Sequence, residues 1–311
     1  MQVVHGPGGR DLAVDRVGAQ DGTAVFLLHG TPGSRRGPRP RAGVLYRLGI
    51  QLICYDRPGY GDSARHLGRS VADTTEDVAA IADQLGVHTF SVVGRSGGAP
   101  HALACAALLD DRVEAVAALV ALAPPDATNL DWYDGMTDSN TAEYGRAEVD
   151  PGAVAATLTE RARQISDDPE FLLNLLRPEL TRQDRRIVDE VAIQRLLTET
   201  YAEAIKHGAD GWIDDVLAAR RPWGFYPSEI DVPVLIWHGL DDVFSPVSHS
   251  RWLADEIRNG REDARVSVVL KPGAAHFDAV EVLPDILTWI KDVIASERLR
   301  VDGTHQPAFF P

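Results

Sequence analysis

Three kinds of side chain, far apart along the chain, have the types and order needed for nucleophilic acyl transfer. Ser96 lies in Gly94-Arg95-Ser96-Gly97-Gly98, directly after the apolar run Phe90-Ser91-Val92-Val93. A serine hydroxyl is a weak nucleophile until a base takes its proton, and that base must be held in one tautomer by a carboxylate. His276 follows the run 266–270, in Lys271-Pro272-Gly273-Ala274-Ala275-His276. An acid is offered by Asp241 or Asp242, in the stretch after Val234-Leu235-Ile236-Trp237. Each group therefore stands where a strand is expected to end. The order serine, acid, histidine belongs to an architecture in which G-x-S-x-G turns sharply from strand into helix.

The local sequence around Ser96 supports such a turn. Glycines allow a bend too tight for side chains, which would leave the hydroxyl exposed at the end of a sheet strand. Residues 99–109 are rich in alanine and leucine, and Pro100 suits the first turn of a helix. A helix starting at Gly97 would aim free N–H groups at the serine and favour negative charge there.

Short apolar runs recur at 25–28, 52–55, 90–93, 116–122, 234–237 and 266–270, with helical segments between them. Continuous apolar strands alternating with helices imply α/β architecture, a mostly parallel central sheet flanked by helices. One helix is announced by Ser70-Val71-Ala72-Asp73, which has the form of a capping box, and another carries Leu283, Ile286, Leu287, Ile290, Val293 and Ile294 at helical spacing. Between Pro125 and Pro227 the strand rhythm stops. That block predicts helices at 153–165, 171–176, 187–206 and 212–219, inserted between two strands of one sheet. The expected organisation is a core of residues 1–125 and 229–311 with a helical cap, or lid, of residues 126–228. Aromatic residues of the block could line a pocket under it, Trp132 and Tyr133 among them. The last stretch, 301–311, reads as a loosely held tail.

Composition narrows the function classes. A chain of 311 residues with 44% apolar content has material for a large core. A formal net charge of −15 argues against nucleic acid and anionic membrane surfaces as partners. The two cysteines, Cys54 and Cys105, fall in apolar elements and suggest neither a metal site nor a redox pair. No basic and apolar leader precedes the first strands, and no run approaches the ~20 apolar residues of a membrane span. A cytoplasmic protein acting on a small molecule is the expectation.

Taken with these motifs, the chain resembles the α/β-hydrolase superfamily over essentially its whole length outside the cap. In that family a glycine is commonly followed by an aspartate three residues on and a proline four further. Gly239, Asp242 and Pro246 match, so the resemblance implies Asp242 as the orienting acid, with Asp126 as a weaker alternative because some relatives place the acid after the preceding strand. His276 alone of the ten histidines stands where the family places its base. The loop His29-Gly30-Thr31-Pro32-Gly33 looks like the family's oxyanion loop. By resemblance, the amides of Thr31 and Gly97 hold the oxyanion, while His29 shapes the loop. Asp56-Arg57-Pro58-Gly59-Tyr60-Gly61 fits the family's turn after the next strand, with Asp56 and Arg57 as turn and packing residues and Tyr60 approaching the pocket.

These features imply a serine hydrolase acting on a small carboxylic ester or related acyl substrate, with no metal or organic cofactor. Relatives that hydrolyse epoxides or haloalkanes use an aspartate where this chain has Ser96. Thioesterase, aminopeptidase and carbon–carbon hydrolase chemistry, haloperoxidase-like chemistry, and a ligand-binding protein on the same scaffold are the alternatives. Arg35, Arg36, Arg39 and Arg41 form a basic loop that reads mainly as a solvated surface, or else as an attraction for anionic substrates. Arg95 reaches toward the pocket or packs away from it.

Overall fold

The six apolar runs become the parallel strands of one sheet. In a computed structural model, which describes the backbone of residues 1–303 and side chains through residue 299, eight strands stand in the order β1-β2-β4-β3-β5-β6-β7-β8. They are β1 (Gln2–His5), β2 (Asp11–Gly18), β3 (Thr23–Leu28), β4 (Ile50–Tyr55), β5 (Phe90–Arg95), β6 (Val113–Leu119), β7 (Val234–Gly239) and β8 (Val266–Lys271). Pairing is parallel from β4 through β8, while β1 and β2 run antiparallel at one edge.

Helices cover both faces, which is why the parallel strands are apolar throughout. The helices are α1 (Ala42–Leu48), α2 (Thr74–Gln84), α3 (Ala99–Leu108), α4 (Asp138–Val149), α5 (Pro151–Asp167), α6 (Phe171–Leu176), α7 (Arg182–Val188), α8 (Val191–Ala204), α9 (Asp210–Ala219), α10 (Val247–Gly260), α11 (Asp278–Glu281) and α12 (Leu283–Gly303). On one face Phe26, Leu28, Tyr55 and Val92 pack with Val78 and Ile81 of α2, Leu103 of α3 and Leu253 of α10. On the other, Val25, Leu27, Leu52 and Val93 pack with Leu45 of α1 and Ile286, Leu287 and Ile290 of α12. Helices α4 to α9 lie between β6 and β7 and build a third cluster, joined by Leu122, Phe244 and Phe277 from loops beyond β6, β7 and β8.

The structure departs from the sequence reading at several elements. The edge pair β1 and β2 departs from the expectation, because β1 is short and Asp15 and Arg16 interrupt β2, so neither carries a continuous apolar run. The sixth strand is displaced toward its N-terminus and ends at Leu119, and Val120 then adopts a left-handed φ of 46°. Helix α2 begins at Thr74, not at the predicted box, whose Asp73 carboxylate instead accepts the Ser70 amide at 2.6 Å. The helix expected over 187–206 is two helices, α7 and α8, broken at Asp189 and Glu190, and α4 escaped notice behind its polar composition. The turn after β5 is a single 3-10 turn, Ser96–Gly98, before α3 starts at Ala99. Cys54 and Cys105 are free and buried. The predicted tail beyond Gly303 lies outside the described residues. Among those residues no helix is long and apolar enough to cross a membrane.

Candidate active site

At the end of β5 the backbone reverses through Ser96, whose φ is 54°, a left-handed conformation rare outside glycine. The flanking glycine explains how it closes. A Cβ on Gly94 would stand 2.3 Å from the Gly98 carbonyl oxygen and 2.6 Å from Ala99 Cα. Strand and helix thus approach so closely that only hydrogen fits between them, and the hydroxyl is carried on the outside of the bend.

His276 comes from the loop after β8, held by Asp278 Oδ2, which accepts the Ala275 amide at 2.8 Å, and by Asp184 of α7, which accepts the Phe277 amide at 2.9 Å. Phe244 and Phe277 pack against its ring, with centroids 5.4 and 5.7 Å away. His276 Nε2 lies 3.1 Å from Ser96 Oγ, and Nδ1 lies 2.8 Å from Asp242 Oδ2. With Nδ1–H donating to the carboxylate, Nε2 is left to accept the serine proton.

Asp242 is buried and well supplied with donors. Its Oδ1 accepts the amides of Phe244 (2.8 Å) and Ser245 (3.0 Å), and its Oδ2 also lies 3.2 Å from His238 Nε2. His238 Nε2 is within 2.6 Å of the Ser245 carbonyl, so this nitrogen carries its proton, and Nδ1 accepts the Ser250 hydroxyl at 2.6 Å. Burial alone would raise the Asp242 pKa. The charge and hydrogen bond of His276, with the bond from His238, outweigh it and hold the carboxyl well below its usual range. The other two acids considered from the sequence, Asp126 and Asp241, are exposed to solvent. His238, although it begins the stretch that carries Asp242, was not recognised as a partner of the acid.

The loop after β3 approaches the serine from the other side. A Cβ on Gly97 would meet Thr31 Oγ1 at 2.2 Å and the Thr31 nitrogen at 3.2 Å, so the two amides are neighbours. Among the described residues the Thr31 amide donates to no protein group. Gly97 lies in the first turn of its helix, where amides lack intrahelical acceptors. His29 is buried, with Nδ1 donating to the Gly30 carbonyl (2.8 Å) and Nε2 accepting the Arg57 amide (3.1 Å). Burial first, and then the Arg57 charge, hold it well below its ordinary pKa. It therefore shapes the loop as a neutral imidazole.

Asp215, from α9, anchors this loop and had no signature in the sequence. Its carboxylate accepts Thr31 Oγ1 at 2.6 Å, Arg57 Nη2 at 2.5 Å, Arg69 Nη2 at 2.5 Å and the Tyr60 hydroxyl at 2.8 Å. Arg57 in turn donates to the Gly30 carbonyl and to Thr31 Oγ1, each at 3.2 Å. Arg57 is thus a buried packing residue as well as part of the turn. It ties the loop after β3 to a helix of the inserted block.

Ser96 and His276 open into a cavity whose walls include Tyr144, Tyr201 and Trp212 from the block. The three residues expected to bind substrate are elsewhere. Tyr60 is 1% exposed and spends its hydroxyl on Asp215. Trp132 donates Nε1 to the Ala123 carbonyl at 3.0 Å and carries the Arg220 guanidinium 3.9 Å above its ring. Tyr133 bonds Glu148 at 2.8 Å. Their rings serve packing, which periodicity could not distinguish from pocket lining. In the basic loop Arg36 and Arg41 are exposed, as a solvated surface requires, whereas Arg35 is 1% exposed and pairs with Asp56, with Asp62 at 3.1 Å and with Glu203 at 2.9 Å. Arg95, by contrast, does line the cavity.

Comparison with known proteins agrees with this architecture. The family model described as alpha/beta hydrolase fold matches residues 23–281. A bifunctional esterase/perhydrolase of Acinetobacter calcoaceticus is 24% identical over 91% of this chain and 97% of its own length. An epoxide hydrolase of Siraitia grosvenorii is 29% identical over 89% of this chain and 93% of its own. Among solved structures, a thermophilic esterase from Thermogutta terrifontis superposes with a TM-score of 0.66 at 21% identity, covering 94% of this chain and 98% of that one. With the sheet order, the strand-turn-helix at Ser96 and a match spanning all six parallel strands, the chain belongs to the alpha/beta hydrolase fold family.

Proposed function

We propose that the protein hydrolyses small carboxylic esters through an acyl-enzyme, with Ser96 as nucleophile, His276 as general base and acid, and Asp242 as the orienting carboxylate. The observation that carries this reading is the unbroken relay from Ser96 Oγ through His276 to Asp242, at 3.1 and 2.8 Å. His276 Nε2 takes the hydroxyl proton as Oγ attacks the ester carbonyl, and returns it to the departing alcohol. Water then repeats the attack, giving its proton to His276 and releasing the acid and Ser96. Negative charge on the carbonyl oxygen falls to the neighbouring amides of Thr31 and Gly97. Residues 126–228 act in this reading as a cap over the core formed by the rest of the chain, supplying cavity walls from α4, α6, α8 and α9.

The serine nucleophile favours acyl transfer over epoxide opening, despite the likeness to an epoxide hydrolase. The likeness to an esterase/perhydrolase supports one further branch: hydrogen peroxide replacing water in the second attack, with a peracid as product. The decisive experiment combines a panel of p-nitrophenyl esters with covalent labelling by a fluorophosphonate. The wild-type protein is expected to turn over the esters and take up one label, and Ser96→Ala to do neither while keeping its circular dichroism spectrum. Full activity in Ser96→Ala would end this reading.

A further inference from the structure

One charged side chain of the cavity has no part in the relay. Arg95 immediately precedes Ser96 and lines the same cavity. The buried arginines are matched: Arg35 with Asp56, Arg57 and Arg69 with Asp215. Arg161, the second arginine of the cavity wall, meets Glu143 at 2.5 Å. Among the described residues Arg95 has neither an ion pair nor a hydrogen bond, and the titratable group that bears on it, the Tyr201 phenol, is kept protonated by its own burial. Burial pushes its guanidinium below the ordinary value, yet an arginine stays charged.

An unmatched buried cation is costly unless something supplies the missing charge. Arg95 keeps intermediate exposure although protein surrounds it, so its accessible surface faces the spaces it borders. One is the cavity holding Ser96 and His276. The other is a smaller space behind the loop after β3, where no acidic residue lines the wall and the hydroxyls of Ser34 and Thr200 bond each other at 2.9 Å. The second space offers no carboxylate, and the one that lines the first, Glu143, is already paired with Arg161. Because Glu143 and Arg161 neutralise each other, Arg95 leaves one net positive charge in a cavity whose walls otherwise mix polar groups such as Ser139, Asn140 and Ser245 with apolar ones such as Leu172 and Leu176.

We propose that Arg95 is a specificity-determining residue that pairs with a carboxylate on the acyl portion of the substrate, so that the preferred esters are half-esters of small dicarboxylic acids. This rests on the acyl-enzyme reading above. One residue from the nucleophile, Arg95 can serve the part of the substrate that stays attached to Ser96. The guanidinium fork matches a planar carboxylate in two parallel hydrogen bonds. A single cation is neutralised by a monoanion, whereas a phosphate dianion would bring an uncompensated charge into the same cavity.

The test compares p-nitrophenyl hemiglutarate with p-nitrophenyl valerate, which match in length but differ in the terminal carboxylate. The ratio of their kcat/KM values is expected to favour the hemiglutarate in the wild-type protein and to fall roughly ten- to hundredfold in Arg95→Met. Arg95→Lys is expected to lie between them, because it keeps the charge without the fork. A wild-type preference for the valerate overturns the proposal, as does an unchanged ratio in a folded Arg95→Met protein. If Arg95→Met does not fold, the wild-type and Arg95→Lys ratios decide. Calorimetry separates this proposal from the reaction itself: Ser96→Ala should bind glutarate but not dimethyl glutarate, and Ser96→Ala with Arg95→Met should lose glutarate binding. A wild-type protein inert toward both esters, whose Ser96→Ala form still binds glutarate through Arg95, would refute the hydrolytic reading and keep this one. Inorganic phosphate binding more tightly than glutarate overturns the assignment to a carboxylate.

Discussion

Replacing Asp215 by asparagine should reveal how firmly the inserted block is fastened to the loop that carries Thr31. The carboxylate is 4% exposed and lies between Arg57 and Arg69, both at 2.5 Å, while also accepting the hydroxyls of Thr31 and Tyr60. Asparagine keeps the shape but removes the carboxylate charge that pairs with both arginines, leaving two buried guanidinium groups against a neutral amide. Breaking a buried pair on one side costs about 3–5 kcal/mol. Against a typical stability of about 5–15 kcal/mol, the variant should fold with a much reduced margin. Urea unfolding at neutral pH, extrapolated linearly, measures the difference. A loss below about 1 kcal/mol would show that Asp215 does not neutralise these arginines in solution.

The pH dependence supplies a second, independent readout. Burial opposes ionisation of Asp215, but Arg57 and Arg69 outweigh it and hold its carboxyl well below the usual value in the folded protein. Across the acid range the unfolded chain therefore binds more protons at this position than the folded one. The contribution is complete above the unfolded carboxyl pKa of about 4 and is lost as pH falls below it toward the folded value. Wild-type stability should thus decline more steeply below about pH 4 than that of Asp215→Asn. Parallel curves would refute the linkage.

Two further outcomes follow from the turn at the nucleophile. Gly97→Ala places a methyl 2.2 Å from Thr31 Oγ1, an atom pinned by Asp215, so the two amides proposed to hold the oxyanion must separate. Ester turnover should drop on the order of a hundredfold in kcat with a smaller change in KM, and Thr31→Gly in the same protein should restore part of it. No recovery in a folded double variant would place the defect elsewhere. Ser96→Gly should be about 1 kcal/mol more stable than Ser96→Ala, both being inactive, because only glycine adopts a φ of 54° without strain. Equal melting temperatures would argue against strain at this residue.

What could be read from the chain were the features whose cause is local. Parallel strands covered on both faces must be apolar along their whole length, so six of the eight were visible as runs such as Leu52-Ile53-Cys54-Tyr55. The positions of Ser96 and His276 at strand ends follow from the same runs, and resemblance pointed to Asp242 and Thr31. The edge strands β1 and β2 were hidden because β1 is short and Asp15 and Arg16 interrupt β2. The partners of the site were hidden for a different reason. Asp215 meets Thr31 across 184 residues, and Asp184 meets Phe277 across 93. Nothing in the residues around an aspartate records which distant arginine or amide will stand against it. The same holds for the aromatic side chains: Tyr201 faces the cavity and Trp132 packs beneath Arg220, although both are apolar surfaces on helical or turn segments. Backbone propensity and burial are written residue by residue, whereas the pairing of buried charges and the shape of a cavity arise only when separate elements close on one another.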